Sequence, residues 1–400
     1  MSVATQTRPA EKTRRRIKGR VNVVPTAAID LSLLMSMAVI IGLGIVMVAS
    51  ASLSIAEHQT GNAHYFLIRQ ISLLAVALIV SYICFQIPMS LWEKVAPWLL
   101  VVAFISLILV LVPGIGVTVN GARRWIDLFI IRFQPSEFAK LAFLLYLAGY
   151  LAHHQKQLAD VMQGFIKPMA VFIVFAVLLL LEPDFGSVVV LAISVFALMF
   201  LAGVRLYQFL VLLLIAGASL GALAVYSPYR LARLTSFLDP WQDPFNSGFQ
   251  LVQALIAFGR GGWFGVGLGG SVQKLSFLPE AHTDFLFAVM AEELGLVSVL
   301  IVIGLFGYIV LRSFRVAYRC QILSMPFIAY LTYGIALMFG MQAFINMGVN
   351  MGVLPTKGLT LPLMSYGGSS ILVACICCAL LLRADYEMRQ KSQEMRPRKW

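Results

Sequence analysis

The sequence predicts an all-α polytopic membrane protein with about ten transmembrane helices, one large extracytoplasmic loop and both termini in the cytoplasm. Three observations carry that prediction. Hydrophobic residues make up 60% of the 400, and the mean hydropathy is +0.88, which excludes an ordinary soluble domain. Apolar runs of about 20 residues, the length that crosses a bilayer, recur along the whole chain. Lysine and arginine gather at the two ends and at a few internal loops.

The ten runs lie near 28–51, 68–87, 95–112, 135–152, 166–182, 186–203, 206–226, 284–312, 326–348 and 368–384. Each is expected to be helical, because lipid offers no partner to an unpaired backbone group. Only Glu182-Pro183-Asp184-Phe185-Gly186 divides the fifth from the sixth. Proline, glycine and two carboxylates make that segment a tight turn rather than part of a span.

The basic residues orient the bundle. A head of residues 1–27 carries Arg8, Lys12, Arg14, Arg15, Arg16, Lys18 and Arg20, and a tail of 388–400 carries Arg389, Lys391, Arg396, Arg398 and Lys399. Between them, residues 28–387 form one membrane domain. Arg205, Arg312, Arg315 and Arg319 fall on the cytoplasmic side with the tails, and residues 227–283 form the large exported loop. The first run exceeds a signal-peptide core of about 7–15 residues, so it reads as a retained anchor. The net charge of +12 is explained by anionic lipid headgroups and calls for no nucleic acid. Cys84, Cys320, Cys375, Cys377 and Cys378 avoid the exported loops, so no disulfide is expected, and their spacing is not that of a zinc site.

Nine basic residues break the charge rule: Arg69, Arg123, Arg124, Arg132, Arg230, Arg233, Arg260, Lys274 and Lys357. Two explanations stand side by side. They pair with loop carboxylates such as Asp127, Asp239, Asp243 and Glu280, or they face an anionic ligand, since guanidinium forks match phosphate oxygens. In the loop 113–134, Asn120-Gly121 marks a hairpin turn, and Pro135 opens the next helix. Glu137 and Lys140, three apart, share a helical face just inside the membrane. A lysine there costs about 2.5–3.5 kcal/mol unless paired or hydrated, so an ion pair competes with a substrate or relay role. Glu292 and Glu293 pose the same question in the eighth span.

Within the exported loop, SGFQLVQALIAFG reads as an amphipathic interfacial helix with Phe249, Val252, Leu255 and Ile256 or Phe258 on its apolar stripe. Seven glycines follow between 259 and 270. With no strand before them they are no nucleotide fingerprint; a close-packing hinge is favoured over an anion nest. The loop closes on Pro279-Glu280-Ala281-His282-Thr283-Asp284. Thr283 is placed to cap the eighth helix with Asp284 in its first turn, where the dipole favours a carboxylate. Against that stands a catalytic role for Asp284. His282 has no second His or Cys to complete a metal site.

Five segments in order, NGARRW, FQPSEFAK, EPDFGS, FLPEAHTDFLFA and MGVLPTKGLTLPLMSYGGSS, resemble the SEDS family of cell-wall proteins over about residues 28–387, and its division branch more than its elongation branch. The resemblance implies a peptidoglycan glycosyltransferase that polymerises lipid II at the outer face of the bacterial cytoplasmic (inner) membrane, at the division septum. It implies as partners lipid II, the growing glycan strand, a class B penicillin-binding protein and other divisome membrane proteins. The family's loop aspartate falls on Asp284 and its sensitive basic positions on Arg132 and Lys140. Glu182 stands where the family more often has Gln, which leaves its role open. Asp284 is then the expected general base on the acceptor sugar hydroxyl, displacing polyprenyl pyrophosphate with inversion. Arg124, Arg132, Glu137, Lys140, His282 and Lys357 are the substrate-binding candidates, with Arg132, Lys140 and Lys357 neutralising the leaving group. No cofactor is required by the sequence, although a divalent cation (Mg or Mn) could share that task. The rival readings are a lipid II flippase and a non-catalytic divisome scaffold.

Overall fold

The computed structural model describes residues 29–119, 122–127, 132–158, 160–205, 207–209, 237, 239–246, 248–275, 277–355 and 358–395. Apolar runs become helices α1 (Leu31–Thr60), α2 (Tyr65–Gln86), α3 (Met89–Leu111), α4 (Pro135–His153), α5 (Lys167–Leu181) and α6 (Phe185–Leu201). Within the segment expected to be exported lies α7 (Phe249–Gly261), and after it come α8 (Leu286–Ile322), α9 (Pro326–Asn350) and α10 (Gly368–Glu394). Among the described residues, seven helices are long and apolar enough to cross a membrane; α4 and the shorter α6 pack with them. The expected run at 206–226 lies almost wholly outside the described residues.

Local chemistry sets the helix ends. The Asp30 carboxylate caps α1 by accepting from the Ser32 and Leu33 amides, and Asp184 caps α6 through the Ser187 amide at 3.2 Å and hydroxyl at 2.8 Å. Pro135 opens α4 as expected. Two boundaries differ from the sequence reading. The tail expected from residue 388 continues as helix to Glu394, and α8 runs on to Ile322, because both helices extend past their apolar stretches on polar, ion-paired turns.

The chain is also not wholly helical. Strands β1 (Gly116–Val119), β2 (Ala122–Asp127) and β3 (Arg132–Phe133) form an antiparallel sheet in that order. Val117 lies opposite Trp125 and Thr118 opposite Arg123, with a bulge between them. The hairpin expected around Asn120-Gly121 is therefore present, with those two residues outside the described ones.

Helices α9 and α10 are mostly buried, whereas α2 and α3 expose most of their apolar surface. A helix apolar on all sides with an exposed surface suits a lipid neighbour. Arg312 Nε lies 2.6 Å from Asp30 Oδ2, and Arg389 Nη2 lies 3.4 Å from the same atom. The start of α1 and the last turns of α10 therefore lie together. The sheet and the 280–285 loop occupy the other end.

Candidate active site

Asp284 lies in the turn before α8, not in its first helical turn. Phe285 is the N-cap, and the Thr283 hydroxyl turns away to Glu280, 2.7 Å from Oε2. The capping role expected for Thr283 is overturned, because the Glu280 carbonyl accepts from both the Thr283 and Phe285 amides and closes a separate turn there. The main chain of Asp284 is held from α9. Asn346 and Asn350 donate from Nδ2 to its carbonyl at 2.9 and 3.0 Å. Asn346 also donates to the Leu359 carbonyl at 2.6 Å, and the Ala288 amide donates to Asn350 Oδ1 at 3.1 Å. The carboxylate itself stays half-buried and lies against Gly358, where a Cβ would come within 3.2 Å of Oδ2.

These amides were missed in the sequence. Gln342, Asn346 and Asn350 recur every four residues in an otherwise apolar helix, which places them on one face. Such a stripe is costly in lipid and signals a polar partner inside the bundle. Read that way, it would have pointed to the loops it holds.

Burial pushes the Asp284 carboxyl up to about 7; Glu280 and Asp184 push the same way and Arg124 opposes them. A base poised near neutrality suits proton abstraction at physiological pH. Arg124, half-buried on β2, donates from Nε to the Glu182 carbonyl at 3.1 Å and from Nη2 to the Pro183 carbonyl. The turn between α5 and α6 is thereby tied to the sheet. Leu359 packs on Gly186, where a Cβ would meet its Cγ at 2.8 Å, so Arg124, the 182–186 turn, residues 358–359 and Asp284 form one continuous wall.

His282 does not present itself as a ligand. Its ring packs between Phe66 and Tyr366 at 4.7 and 5.4 Å, and its carbonyl accepts from the Tyr366 amide at 3.0 Å. Burial lowers its basicity, with Glu280 opposing. The physical reading is an aromatic packing residue that anchors the loop, in place of the expected substrate contact. Arg69 and Arg132 both act electrostatically on Tyr366. Arg132 is exposed on β3, and its carbonyl accepts from the Ser369 hydroxyl at 3.2 Å. The guanidinium groups of Arg69, Arg124 and Arg132 thus lie at the same end of the bundle as Asp284.

Lys140 behaves differently. It is 1% exposed, and its ammonium donates to Glu137 Oε1 at 2.9 Å and Gln342 Oε1 at 3.0 Å. Gln342 passes the contact on by donating to the Thr360 carbonyl at 3.1 Å. The ion-pair reading is the one this geometry favours, since a buried lysine with two acceptors gains little by turning outward. Glu137 and Lys140 reach the site through Gln342. Lys357 lies outside the described residues, immediately before Gly358.

Glu292 and Glu293 resolve in the same direction. Both are fully buried. Arg260 lies 3.0 Å from Glu292, and Lys274 lies 2.8 Å from Glu293 and 2.9 Å from the Ser50 hydroxyl. Amides of Ser271, Val272 and Gln273 donate to the same carboxylates. Two of the misplaced cations are therefore paired, with helix carboxylates rather than the loop acids expected. The glycine segment packs closely: Gly295 breaks α8 at φ 76, and a Cβ there would lie 2.4 Å from the Gly265 amide. The helix expected there is present as α7, but of the expected stripe only Val252 is buried, together with Leu251, Ala254, Ala257 and Gly261, because its neighbours are α8 and α9. Among the described residues, no group of three or more His, Cys, Asp or Glu is placed to hold a metal ion.

A polar, cation-flanked carboxylate at one end of an apolar helical bundle defines a membrane protein built to act at the lipid–water boundary. The chain belongs to the FtsW/RodA/SpoVE family of cell cycle proteins, whose model matches residues 31–390. It is 55% identical over 359 residues to the "Probable peptidoglycan glycosyltransferase FtsW" of Thioalkalivibrio sulfidiphilus, covering 90% of each chain. The protein of the same name from Legionella pneumophila is 52% identical over 355 residues, covering 89% of this chain and 90% of that one. Among solved structures, a chain of a peptidoglycan synthase complex that coordinates polymerization and crosslinking is 33% identical. It superposes with a TM-score of 0.75 and covers 90% of this chain and 98% of that one. The rod shape determining protein RodA of Thermus thermophilus is 30% identical with a TM-score of 0.66, covering 90% and 97%.

Proposed function

We infer that this protein is a peptidoglycan glycosyltransferase that polymerises lipid II at the outer face of the bacterial cytoplasmic membrane during septal wall synthesis. The observation that carries the reading is the Asp284 carboxyl, raised to about 7 in a half-buried residue, at the end of the bundle opposite the start of α1 and the last turns of α10. A lipid-linked substrate needs its tail in the membrane and its reacting sugars at the water boundary, and a carboxyl in the turn before α8, outside the apolar helix, suits that need. The names of the relatives support the activity.

Asp284 takes the proton from the acceptor sugar 4-hydroxyl as that oxygen attacks C1 of the growing strand. The C1–O bond to polyprenyl pyrophosphate breaks with inversion, and the diphosphate leaves with the bonding pair. A positioned base contributes about 10²–10⁴-fold. Arg124 and Arg132 offset charge developing on the diphosphate, with Lys357 completing the set. A divalent cation shares that task only if the diphosphate supplies most of its oxygens, since no protein donor cluster stands among the described residues. Lys140 and Glu137 hold the floor of the site through Gln342. A class B penicillin-binding protein is the crosslinking partner, consistent with the complex that the fold resembles, and other divisome membrane proteins recruit the pair to the septum.

The test is glycan synthesis from lipid II by detergent-purified protein, with and without the partner, for wild type and Asp284→Asn. Strand formation lost in the variant supports the reading. Polymer made at the parental rate by Asp284→Asn removes the base assignment. Transbilayer movement of lipid II without polymer would instead identify a flippase, and neither activity would leave a scaffold.

A further inference from the structure

Glu182 lies in the turn between α5 and α6, completely buried. Neither of its carboxylate oxygens meets a hydrogen-bond partner among the described residues. Arg124 comes close but gives its N–H groups to the main-chain carbonyls of Glu182 and Pro183. Asp184 also bears on Glu182 and is engaged as the cap of α6 through Ser187. An ionised Glu182 would be a desolvated charge without donors, next to a second carboxylate. Burial of such a charge is strongly unfavourable, whereas a neutral acid forfeits only a hydrogen bond.

We propose that Glu182 is a positioning residue held as a neutral carboxylic acid, so that the charge of Arg124 remains available to the substrate diphosphate beside Asp284. The proposal rests on the polymerase reading above. Burial first, then Asp184, raise the Glu182 carboxyl to about 8, with Arg124 opposing. When Glu182 ionises, its proton passes to solvent. The new carboxylate competes with the diphosphate for Arg124 and adds negative charge to a wall that already holds Asp184 and Asp284. The reaction should therefore have an alkaline limb that belongs to Glu182, a residue that never touches the reacting atoms.

The test compares wild type, E182Q and E182L as the full chain with its partner synthase, following lipid II polymerisation across pH. Gln reproduces the shape of the neutral acid and cannot ionise. Wild type should lose rate as pH rises through about 8 and settle on a lower plateau, while E182Q holds its neutral-pH rate through the same range. E182L, equally unable to ionise and losing no hydrogen bond the side chain makes among the described residues, should likewise lack the alkaline limb. Coincident alkaline limbs in wild type and E182Q overturn the proposal, as does a folded E182Q that loses most activity at neutral pH. Absence of polymer from all variants at every pH would sink the polymerase reading instead.

Infrared spectra then judge Glu182 by itself. A protonated-carboxyl stretch present in wild type near neutrality, lost above about pH 8 and missing in E182Q supports the assignment. Identical spectra for the two proteins reject it.

Discussion

The side-chain amide of Asn346 donates to the carbonyl of Asp284 at 2.9 Å and to that of Leu359 at 2.6 Å. One residue of α9 thereby joins the loop that carries the carboxyl to the loop that packs against it. Asn350, one turn further on, donates to the same Asp284 carbonyl at 3.0 Å.

From that clamp, Asn346→Leu should lower kcat of lipid II polymerisation more than it raises KM. Losing Asn346 strands the Leu359 carbonyl, a cost of about 1–3 kcal/mol, and leaves the Asp284 carbonyl to Asn350 alone; a misplaced base costs on the order of 10²-fold. Steady-state kinetics on folded protein check this; an unchanged kcat would mean that the clamp does not position the base.

The pH dependence on the acid side follows from Asp284. Its carboxyl is raised from 3.8 to about 7, so the base is protonated below that pH, and kcat/KM should fall about tenfold per unit there. The stability sign is the reverse of a salt-bridged aspartate. Between 3.8 and about 7 the folded chain keeps a proton that the unfolded chain releases, so stability declines as pH rises through that window and then levels. Asp284→Asn removes the penalty, and its thermal midpoint should exceed that of wild type near neutrality. A lower midpoint would contradict the burial argument.

Lys140 and Glu137 should behave as a unit of the fold. Lys140→Met leaves a buried carboxylate unpaired, a loss of about 3–5 kcal/mol. The double replacement Lys140→Met with Glu137→Leu should recover much of it, because no lone charge remains buried. Thermal unfolding in detergent gives the comparison; additive losses would show that the pair is not coupled.

Arg132→Glu tests the exposed cation. An exposed substitution away from packing usually changes stability by no more than about 0.5 kcal/mol. Reversing charge beside an anionic substrate should raise KM by about tenfold or more, the factor set by about 1.4 kcal/mol. Unchanged kinetics in the folded variant would take Arg132 out of the site.

Loosening the break in α8 tests the glycine packing. Gly295 sits at φ 76 with the Gly265 amide only 2.4 Å from any added Cβ. Gly295→Ala should therefore destabilise the protein by more than the roughly 1 kcal/mol of an ordinary strained position. A midpoint equal to wild type would show that the loop can yield.

Much of this architecture was readable before any coordinates. Apolar runs mark most of the helices because lipid leaves the backbone no alternative, and Pro135 and the turn at Glu182–Gly186 mark boundaries through local steric and hydrogen-bonding rules. The motif around Asp284 was legible by its charges. Partner choice was not legible. Sequence proximity suggested that Thr283 caps α8, yet its hydroxyl goes to Glu280. For Arg260 and Lys274 the sequence leaves loop acids and an anionic ligand as alternatives, yet they reach Glu292 and Glu293 two turns into α8. His282 was grouped with the substrate contacts, yet its ring is locked between Phe66 and Tyr366.

Composition and periodicity alone establish a membrane-embedded helical bundle, and the placement of its charges gives the expected sidedness, because these depend on solvent and on neighbours within a turn or two; the family resemblance is what singles out Asp284. The three-dimensional packing decides the rest. It determines which carboxylates are neutralised, that Lys140 lies inside the bundle rather than at its edge, and that α9 holds Asp284 by its carbonyl. Those outcomes rest on contacts between residues tens to hundreds of positions apart, and hydrogen bonds and ion pairs select partners by distance in space rather than along the chain.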